Sequence, residues 1–339
     1  MNRHPCASVL ATLGILAVTA AGCGKVDFRH AVAVGDVHAC ALDDRQQPVC
    51  WGNAGQGQRQ GMPGGENDKR QFKRLAANGL ITCGITTQDR LDCWGSDRYG
   101  DLRGFQQLRF ITRVADIALG DRFICLLNRD SVLVCGGNTP SGAPVGRRLR
   151  RIACRGNACC GLWPNGLPIC FGDLALAASP RAAMREIAVG QGYAVALDNG
   201  GHPWAWGDNQ SVLQDAPQRS ARFDAVAAGG NFACARRRDN GRLHCFGGKA
   251  TDFVTEQEQP EGAQNAAGNG TRLPPNTLPD GRVLGFDIGR AHGCALLEDS
   301  RVMCFGDDEQ DQFVNLPRDP LWVLPKWHSL LLERTAAVD

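Results

Sequence analysis

Residues 32–58 read VAVGDVHACALDDRQQPVCWGNAGQGQ, and this stretch decides the fold because versions of it recur along the chain. Related segments begin near residues 75, 117, 152, 187, 226 and 286, which makes seven copies. One glycine position is kept in all seven: Gly52, Gly95, Gly137, Gly172, Gly207, Gly247 and Gly306. Self-similarity between copies that begin 35 to 60 residues apart indicates a repeat architecture.

Every copy has the same local pattern. A short apolar run leads into a glycine-rich turn and a first strand, and a polar turn then leads into a second strand that ends in an aromatic residue and glycine. Turns such as Asn165-Gly166 and Asn199-Gly200 suit β-hairpins. A basic and apolar stretch before most copies, such as RFITRVADIALG, predicts a further strand. Three or four strands per copy make one blade of a propeller, and blades bury their faces by packing in a ring.

The first copy resembles the repeat of the regulator of chromosome condensation family. The resemblance covers about residues 25–316 and implies an all-β fold, a seven-bladed β-propeller. This chain departs from the family pattern by placing cysteine where aliphatic residues are expected, and its short copies are similar to the compact blades of β-lactamase inhibitor protein II. The matching residues are Ala33, Gly35, His38, Ala41, Leu42, Trp51, Gly52, Asn53 and Gln56.

The cysteine spacing predicts a disulfide-linked hairpin in six of the seven blades. Positions ten or eleven residues apart around a short turn lie opposite each other on antiparallel strands, within disulfide reach. In the fifth copy both positions change together, to Val195 and Ala205, as expected if the two side chains touch. Zinc sites need closer ligand spacing, so we expect no metal. The predicted pairs are Cys40 with Cys50, Cys83 with Cys93, Cys125 with Cys135, Cys160 with Cys170, Cys234 with Cys245, and Cys294 with Cys304, and Cys154 with Cys159 could form a seventh.

The N-terminus predicts export. Residues 1–22 have a basic start and a short apolar run, which is typical of a signal peptide. The run ends in Thr19-Ala20-Ala21-Gly22-Cys23, which resembles a bacterial lipobox and implies lipidation of Cys23, although Ala20 stands where that motif prefers leucine. Ordinary cleavage after Ala20 is the alternative. We therefore expect a protein of the bacterial cell envelope, at the outer membrane or cell surface, or otherwise periplasmic or secreted.

The remaining segments and the charge complete the domain prediction. Residues 23–316 form the propeller, 249–281 are a polar insertion between copies six and seven, and 317–339 are a C-terminal tail. Without the signal peptide the net charge is +1, because the peptide contains one of the 37 basic and none of the 35 acidic residues. Such a balance predicts no general attraction for nucleic acid or anionic lipid. We expect membrane contact through the lipid anchor only, and a monomer.

Candidate chemistry is sparse. The acidic run from Asp307 to Asp311 has oxygen ligands at alternate positions, but it aligns with the turn at Asn53 and is interpreted as a turn rather than a calcium site. His38 and His292 occupy the repeat's histidine position, where other copies have Phe123 or Tyr193, which indicates packing. We expect no catalytic residue and no cofactor.

The sequence thus predicts a non-enzymatic, rigid scaffold that binds a protein or a glycan. An envelope polysaccharide hydrolase or lyase with inward-facing carboxylates is the alternative, because two acids from separate blades leave no local motif. The nucleotide-exchange activity that the family resemblance also implies fits an exported protein least well. All three interpretations rest on analogy of fold.

Overall fold

The fold is described here from a computed structural model. The structure describes residues 28–64, 68–96, 102–175, 177–217, 220–248, 254–255, 277–307, 310–317 and 321. Seven three-stranded antiparallel sheets follow one another along the chain, and each strand pairs with the next. The all-β, seven-bladed propeller that the repeats predict is therefore confirmed, including the disulfide-linked hairpin in six blades.

The strands of blades one to four are β1 (Val32–Val34), β2 (His38–Leu42), β3 (Pro48–Gly52), β4 (Phe72–Asn78), β5 (Ile81–Thr86), β6 (Leu91–Gly95), β7 (Val114–Gly120), β8 (Phe123–Asn128), β9 (Leu133–Gly137), β10 (Arg151–Arg155), β11 (Ala158–Leu162) and β12 (Pro168–Gly172). Those of blades five to seven are β13 (Met184–Gly190), β14 (Tyr193–Asp198), β15 (Pro203–Gly207), β16 (Phe223–Ala228), β17 (Ala233–Arg237), β18 (Leu243–Phe246), β21 (Val283–Ile288), β22 (His292–Leu297) and β23 (Val302–Gly306).

Short elements lie in the connections between blades. Helices α1 (Arg103–Leu108) and α2 (Gln210–Asp215) follow blades two and five, and a parallel pair of β19 (Val254–Thr255) and β20 (Thr277–Leu278) follows blade six. A 3₁₀ turn, Phe28–His30, precedes blade one. The basic and apolar stretches before the copies form the first strand of each blade, as predicted, for example β7.

The hairpin turns join neighbouring blades. In every blade, the turn between the second and third strands contains a residue with positive φ whose carbonyl accepts a hydrogen bond from the chain that follows the blade. For example, the amide of Val114 donates to Asp89 (2.9 Å), and that of Met184 donates to Gly166 (2.8 Å). The seven accepting residues are Gln46, Asp89, Ser131, Gly166, Gly201, Gly241 and Ser300.

The ring closes through the chain that follows blade seven. The carbonyl of Val314 accepts a hydrogen bond from the amide of Gly52 in blade one (2.7 Å), and Phe313 is buried in the core of blade one. The amide of Leu321 donates a hydrogen bond to the carbonyl of Ser300 (3.0 Å). In the other blades this bond comes from a residue at the start of the next blade, as from Val114 to Asp89. Leu321 takes this place, and Phe28–His30 turn towards the channel, where Arg29 and His30 line the cavity.

The first strands of the seven blades surround a central channel. Successive first strands contact one another around the ring, and β21 contacts β1. We call the end of the channel beside the hairpin turns the hairpin face, and the opposite end the loop face. The loop face carries the turns between first and second strands and the residues that follow each third strand. For example, the amide of Asp173 after β12 donates to Asn157 in the first turn of the same blade (3.2 Å).

Candidate functional site

The disulfides hold the outer two strands of the blades together. Each of the six hairpin disulfides joins residues that face each other in the register of the second and third strands. In blade five the same register places Val195 opposite Ala205. The bonded pairs are Cys40–Cys50, Cys83–Cys93, Cys125–Cys135, Cys160–Cys170, Cys234–Cys245 and Cys294–Cys304.

Blade four has an additional disulfide. Cys154 on β10 is bonded to Cys159 on β11, so all three strands of this blade are linked covalently. The sulfur atoms of Cys125, Cys154 and Cys159 lie within 4.8 Å of one another. All three are disulfide-bonded, and there is no free cysteine in the part of the chain that the structure describes. These sulfurs therefore serve structure, and they offer no thiolate to a metal.

A ring of alternating charges lines the channel near the hairpin face. Arg74, Asp116, Arg151 and Glu186 occupy equivalent positions in the first strands of blades two to five, as their registers show. Arg74 Nη2 lies 2.6 Å from Asp116 Oδ1, and Arg151 Nη2 lies 3.6 Å from Glu186 Oε1. Burial raises the pKa of Asp116, although the neighbouring arginines act in the opposite direction. Because positive and negative side chains alternate, each of these four partly desolvated charges has a neighbour of opposite sign.

The 3₁₀ turn completes this ring of charges. Arg29 Nη1 lies 3.2 Å from Glu186 Oε1, on the far side of the channel. Blade seven has Gly285 at the ring position, and a Cβ atom there would lie 1.8 Å from the carbonyl oxygen of Phe28. Burial, with the positive charges of Arg74, Arg151 and Arg29, lowers the pKa of His30 well below its usual value. The turn therefore lies across the channel mouth at the hairpin face.

Asp287 is the exception at another repeated position. On the first strand, the residue that faces the disulfide cysteine of the second strand (Val195 in blade five) is alanine in six blades and Asp287 in blade seven. Its Oδ2 accepts a hydrogen bond from the amide of Val34 in blade one (2.9 Å), so it joins the last blade to the first. Burial raises the pKa of Asp287 to about 6. This carboxylate thus adds a hydrogen bond between the last blade and the first.

Arg155 fills the channel near the loop face. Its equivalents are glycine in five blades, and in four of these an aromatic ring or imidazole covers the glycine, as Phe123 covers Gly120. In blade four the covering residue is Ala158, and the space is taken by Arg155 itself. Arg155 Nη1 donates to the carbonyl of Ile288 (3.3 Å), and Nη2 lies 3.8 Å from Asp36 Oδ1. The cavity left in the channel is about 160 Å³.

The carboxylates of the channel are all engaged within the described residues. Asp116 and Glu186 pair with arginines, and Asp287 accepts from a backbone amide. A glycosidase needs two carboxylates with room for a sugar or a water between them. A cavity of about 160 Å³ between paired charges does not resemble such a cleft. The geometry therefore gives no support to the hydrolase alternative.

The histidines at the repeat position are fully buried, as the packing interpretation predicts. His38 Nε2 lies 2.8 Å from Thr82 Oγ1, and the ring of His292 makes an edge contact with Phe313. Burial lowers the pKa of His38 to about 4 and that of His292 to about 3. Both rings are therefore neutral at physiological pH, and both lie within the interblade core.

The acidic run forms a turn at its described end. The amide of Gln310 donates to Gln312 Oε1 (2.9 Å), and in blade one the amide of Gln56 donates to Gln58 Oε1 (3.1 Å). The matching bonds agree with the alignment of the run with the turn at Asn53. Residues 308 and 309 lie outside the described residues, as do the predicted signal peptide, Cys23, most of the 249–281 insertion and most of the 317–339 tail.

The sequence interpretation missed the ring of charges, although the aligned copies contain its signal. Two residues before the repeated alanine they read Arg-Leu-Ala, Asp-Ile-Ala, Arg-Ile-Ala and Glu-Ile-Ala, beginning at Arg74, Asp116, Arg151 and Glu186. This alternation of charge indicates ion pairs only once the fold places successive blades side by side.

Comparison with solved structures supports the fold. The ectodomain of the Physcomitrella patens receptor kinase CR4 is 20% identical, with 82% of this chain and 73% of that chain covered and a TM-score of 0.62. What the two chains share is the fold. The Arabidopsis thaliana ACR4 ectodomain is 23% identical (64% and 78% covered, TM-score 0.53), and human WBSCR16 is 12% identical (78% and 85%, 0.57). No family model and no curated protein matches this propeller. At these identities the likeness concerns the fold alone.

Proposed function

We propose that this propeller is an exported scaffold, lipid-anchored through Cys23, that binds a protein partner through its exposed loops. The observation that carries the proposal is a closed ring with seven disulfides whose internal charges are already paired. Disulfides at this density persist in oxidising compartments outside the cytosol. No helix among the described residues is long and apolar enough to cross a membrane.

A rigid ring suits recognition because its surface turns are held in fixed positions. Loops on such a scaffold bind at low entropic cost, since the scaffold does not have to be ordered on binding. The insertion 249–281 is the longest connection between blades and the first candidate for a partner contact. The fold occurs in the ectodomain of a plant receptor kinase, which is compatible with a binding role outside the cell.

Partner capture tests the proposal. The oxidised protein serves as bait in a cell-envelope extract and in culture supernatant, and captured proteins are identified by mass spectrometry. A second bait has residues 249–281 replaced by a short linker, because simple deletion would break the ring. The connection between β12 and β13, residues 173–183, sets the required length, since it also leads from the loop face to the hairpin face.

One dominant protein that is captured by the first bait and lost from the second supports a recognition module with its site in the insertion. Equal capture by both baits places the site elsewhere on the ring. Capture of no protein by either bait overturns the protein-binding proposal and favours a glycan partner. The mass of the mature N-terminal peptide tests the anchor, because acylation adds the mass of the lipid to Cys23.

A further inference from the structure

The two faces of the propeller differ in charge, although the whole chain is nearly neutral. Among the described residues, the turns between first and second strands and the residues directly after the third strands carry five acids and two basic residues, Arg122 and Arg290, whereas Arg59 and Arg103 lie further along the same connections. The acids of this face are Asp36, Asp121, Asp173, Asp208 and Asp307. A net charge close to zero therefore hides a separation of charge along the axis of the ring.

The hairpin face has a dense group of arginines at blade three. The carbonyl of Arg113 accepts from the amide of Arg129 (2.7 Å), and Arg147 and Arg148 run along the outer strand of the same blade. The side chains of Arg113 and Arg129 are 62% and 57% exposed. We call Arg113, Arg129, Arg147, Arg148 and Arg150 the blade-three cluster.

Few acids oppose the blade-three cluster. Asp130 lies 3.8 Å from Arg113 and is itself 57% exposed, and Asp89 pairs with Arg129. Among the described residues no carboxylate lies within ion-pair distance of Arg147 or Arg148. A second basic group surrounds the hairpin of blade six, with two pairing acids, Asp239 and Asp280. Its members are Arg222, Arg237, Arg238, Arg242 and Arg282, whereas the acids Asp43, Asp44, Glu298 and Asp299 gather in blades one and seven.

The position of the predicted lipid anchor indicates that the hairpin face lies near the membrane. Phe28 lies at the channel mouth of the hairpin face, and four residues lie between it and Cys23. The five residue steps from Cys23 to Phe28 span at most about 17 Å when fully extended. A lipid on Cys23 therefore holds the centre of the hairpin face close to the bilayer. The same tether is too short to pass around the ring and present the loop face.

We propose that the hairpin face lies against an anionic lipid surface, with the blade-three cluster as its main electrostatic contact. The proposal rests on the lipid anchor proposed above and gives that anchor an orientation. Basic side chains near an anionic bilayer strengthen attachment that one signal alone leaves weak. The loop face would then point away from the membrane, where partners meet the protein.

Vesicle sedimentation tests the assignment without the anchor. The mature chain from residue 23, with Cys23→Ser, is mixed with vesicles of phosphatidylcholine or of phosphatidylcholine with phosphatidylglycerol. We expect binding to the anionic vesicles only, with loss of binding in 1 M salt, where charges are screened within a few ångströms. R113S/R147S/R148S should lower the partition coefficient on the order of tenfold or more.

The matched control is R122S/R290S, which removes basic residues from the loop face and should leave the partition coefficient unchanged. Equal losses in both variants, or equal binding to neutral and anionic vesicles, would overturn the assignment. Binding of a soluble polyanion such as heparin without binding of anionic vesicles would also overturn it. Absence of acyl mass on Cys23 in the native protein refutes the anchor separately, because the vesicle experiment does not depend on it.

Discussion

His38 and His292 occupy the same position in blades one and seven but differ in their partners. Both imidazoles are held neutral, because burial lowers their pKa values to about 4 and about 3, against 6.5 in an unfolded chain. The unfolded state therefore takes up protons first, and stability falls as the pH drops from about 6.5 towards 4. His38 has Thr82 as a hydrogen-bond partner, whereas neither ring nitrogen of His292 has one.

H292F should stabilise the protein and reduce its sensitivity to acid. Phenylalanine fills this position in blades three and six, and Gly289 leaves space under the ring as Gly120 does under Phe123. The change removes two buried nitrogens without partners, a gain of about 1 kcal/mol. Thermal unfolding followed by circular dichroism at pH 7.5 and pH 4.5 measures both effects, and the gain should be larger at pH 4.5.

H38F is the matched control. It leaves the hydroxyl of Thr82 without its imidazole partner in a buried site, so we expect a lower melting temperature than that of H292F. Equal effects of the two substitutions at pH 7.5 would contradict the assignment of their different roles.

Hairpins are the unit in which the disulfides act. V195C/A205C should form a seventh hairpin disulfide, because the two positions face each other in blade five as the bonded cysteines do elsewhere. Closing a loop of this length stabilises by roughly 2–3 kcal/mol in the chain-entropy model. Alkylation under non-reducing conditions followed by mass spectrometry detects the bond, and guanidinium unfolding measures its effect.

The single substitution V195C provides the comparison, since it changes packing without a crosslink. A free thiol pair in the double variant, or a lower unfolding midpoint than in V195C, would show that blade five differs from the others in its register or geometry.

Sequence predicted the hairpins well because their signals are local. Cysteines ten residues apart and turn residues such as Asn165-Gly166 act within one blade, and the register follows from them. The ring of charges was missed because Arg74 and Asp116 are distant in sequence and meet only when blades become neighbours. Similarly, a net charge near zero predicted no attraction for an anionic surface, although the fold concentrates arginines on the hairpin face.

The charge ring links first strands, and its energetics can be tested by removing one partner. R74M should destabilise the protein by about 3–5 kcal/mol at neutral pH, because it leaves Asp116 buried without its nearest cation. Without Arg74 the pKa of Asp116 rises further, so the ionised form contributes a penalty that shrinks as the pH falls. Guanidinium unfolding at pH 7.5 and pH 5 should therefore show a smaller loss at pH 5.

R74M/D116L replaces both charges and should recover most of the loss, as paired replacement does for other buried ion pairs. R113M, at an exposed arginine, should change stability by no more than about 0.5 kcal/mol. A loss in the double variant equal to that of R74M would indicate that packing rather than charge holds this position.

At the scale of the whole molecule, the ring depends on a closing segment rather than on a shared sheet. Within the described residues each blade is complete in one stretch of chain, and no strand is exchanged between blade seven and blade one. Besides the packing of β1 on β21 and β22, the junction has Phe313 and Val314 on blade one, Leu321 between Ser300 and Asp44, and Asp287 on Val34. Because blades stabilise one another through their neighbours, loss of the closing segment should weaken the cooperativity of the whole ring.

A chain that ends at residue 321 should fold and melt like the full chain, whereas one that ends at residue 309 should lose cooperative unfolding. The shorter chain lacks Phe313, the acceptor for Gly52 and the bond to Ser300, and it exposes the core of blade one. F313A isolates the packing part, at roughly 3–5 kcal/mol for a buried phenylalanine. Calorimetry and limited proteolysis measure the outcome. If the chain ending at 309 melts in one transition at the same temperature as the chain ending at 321, closure resides in the contacts of β1 with β21 and β22, including the bond of Asp287 to Val34, since these contacts remain in both chains.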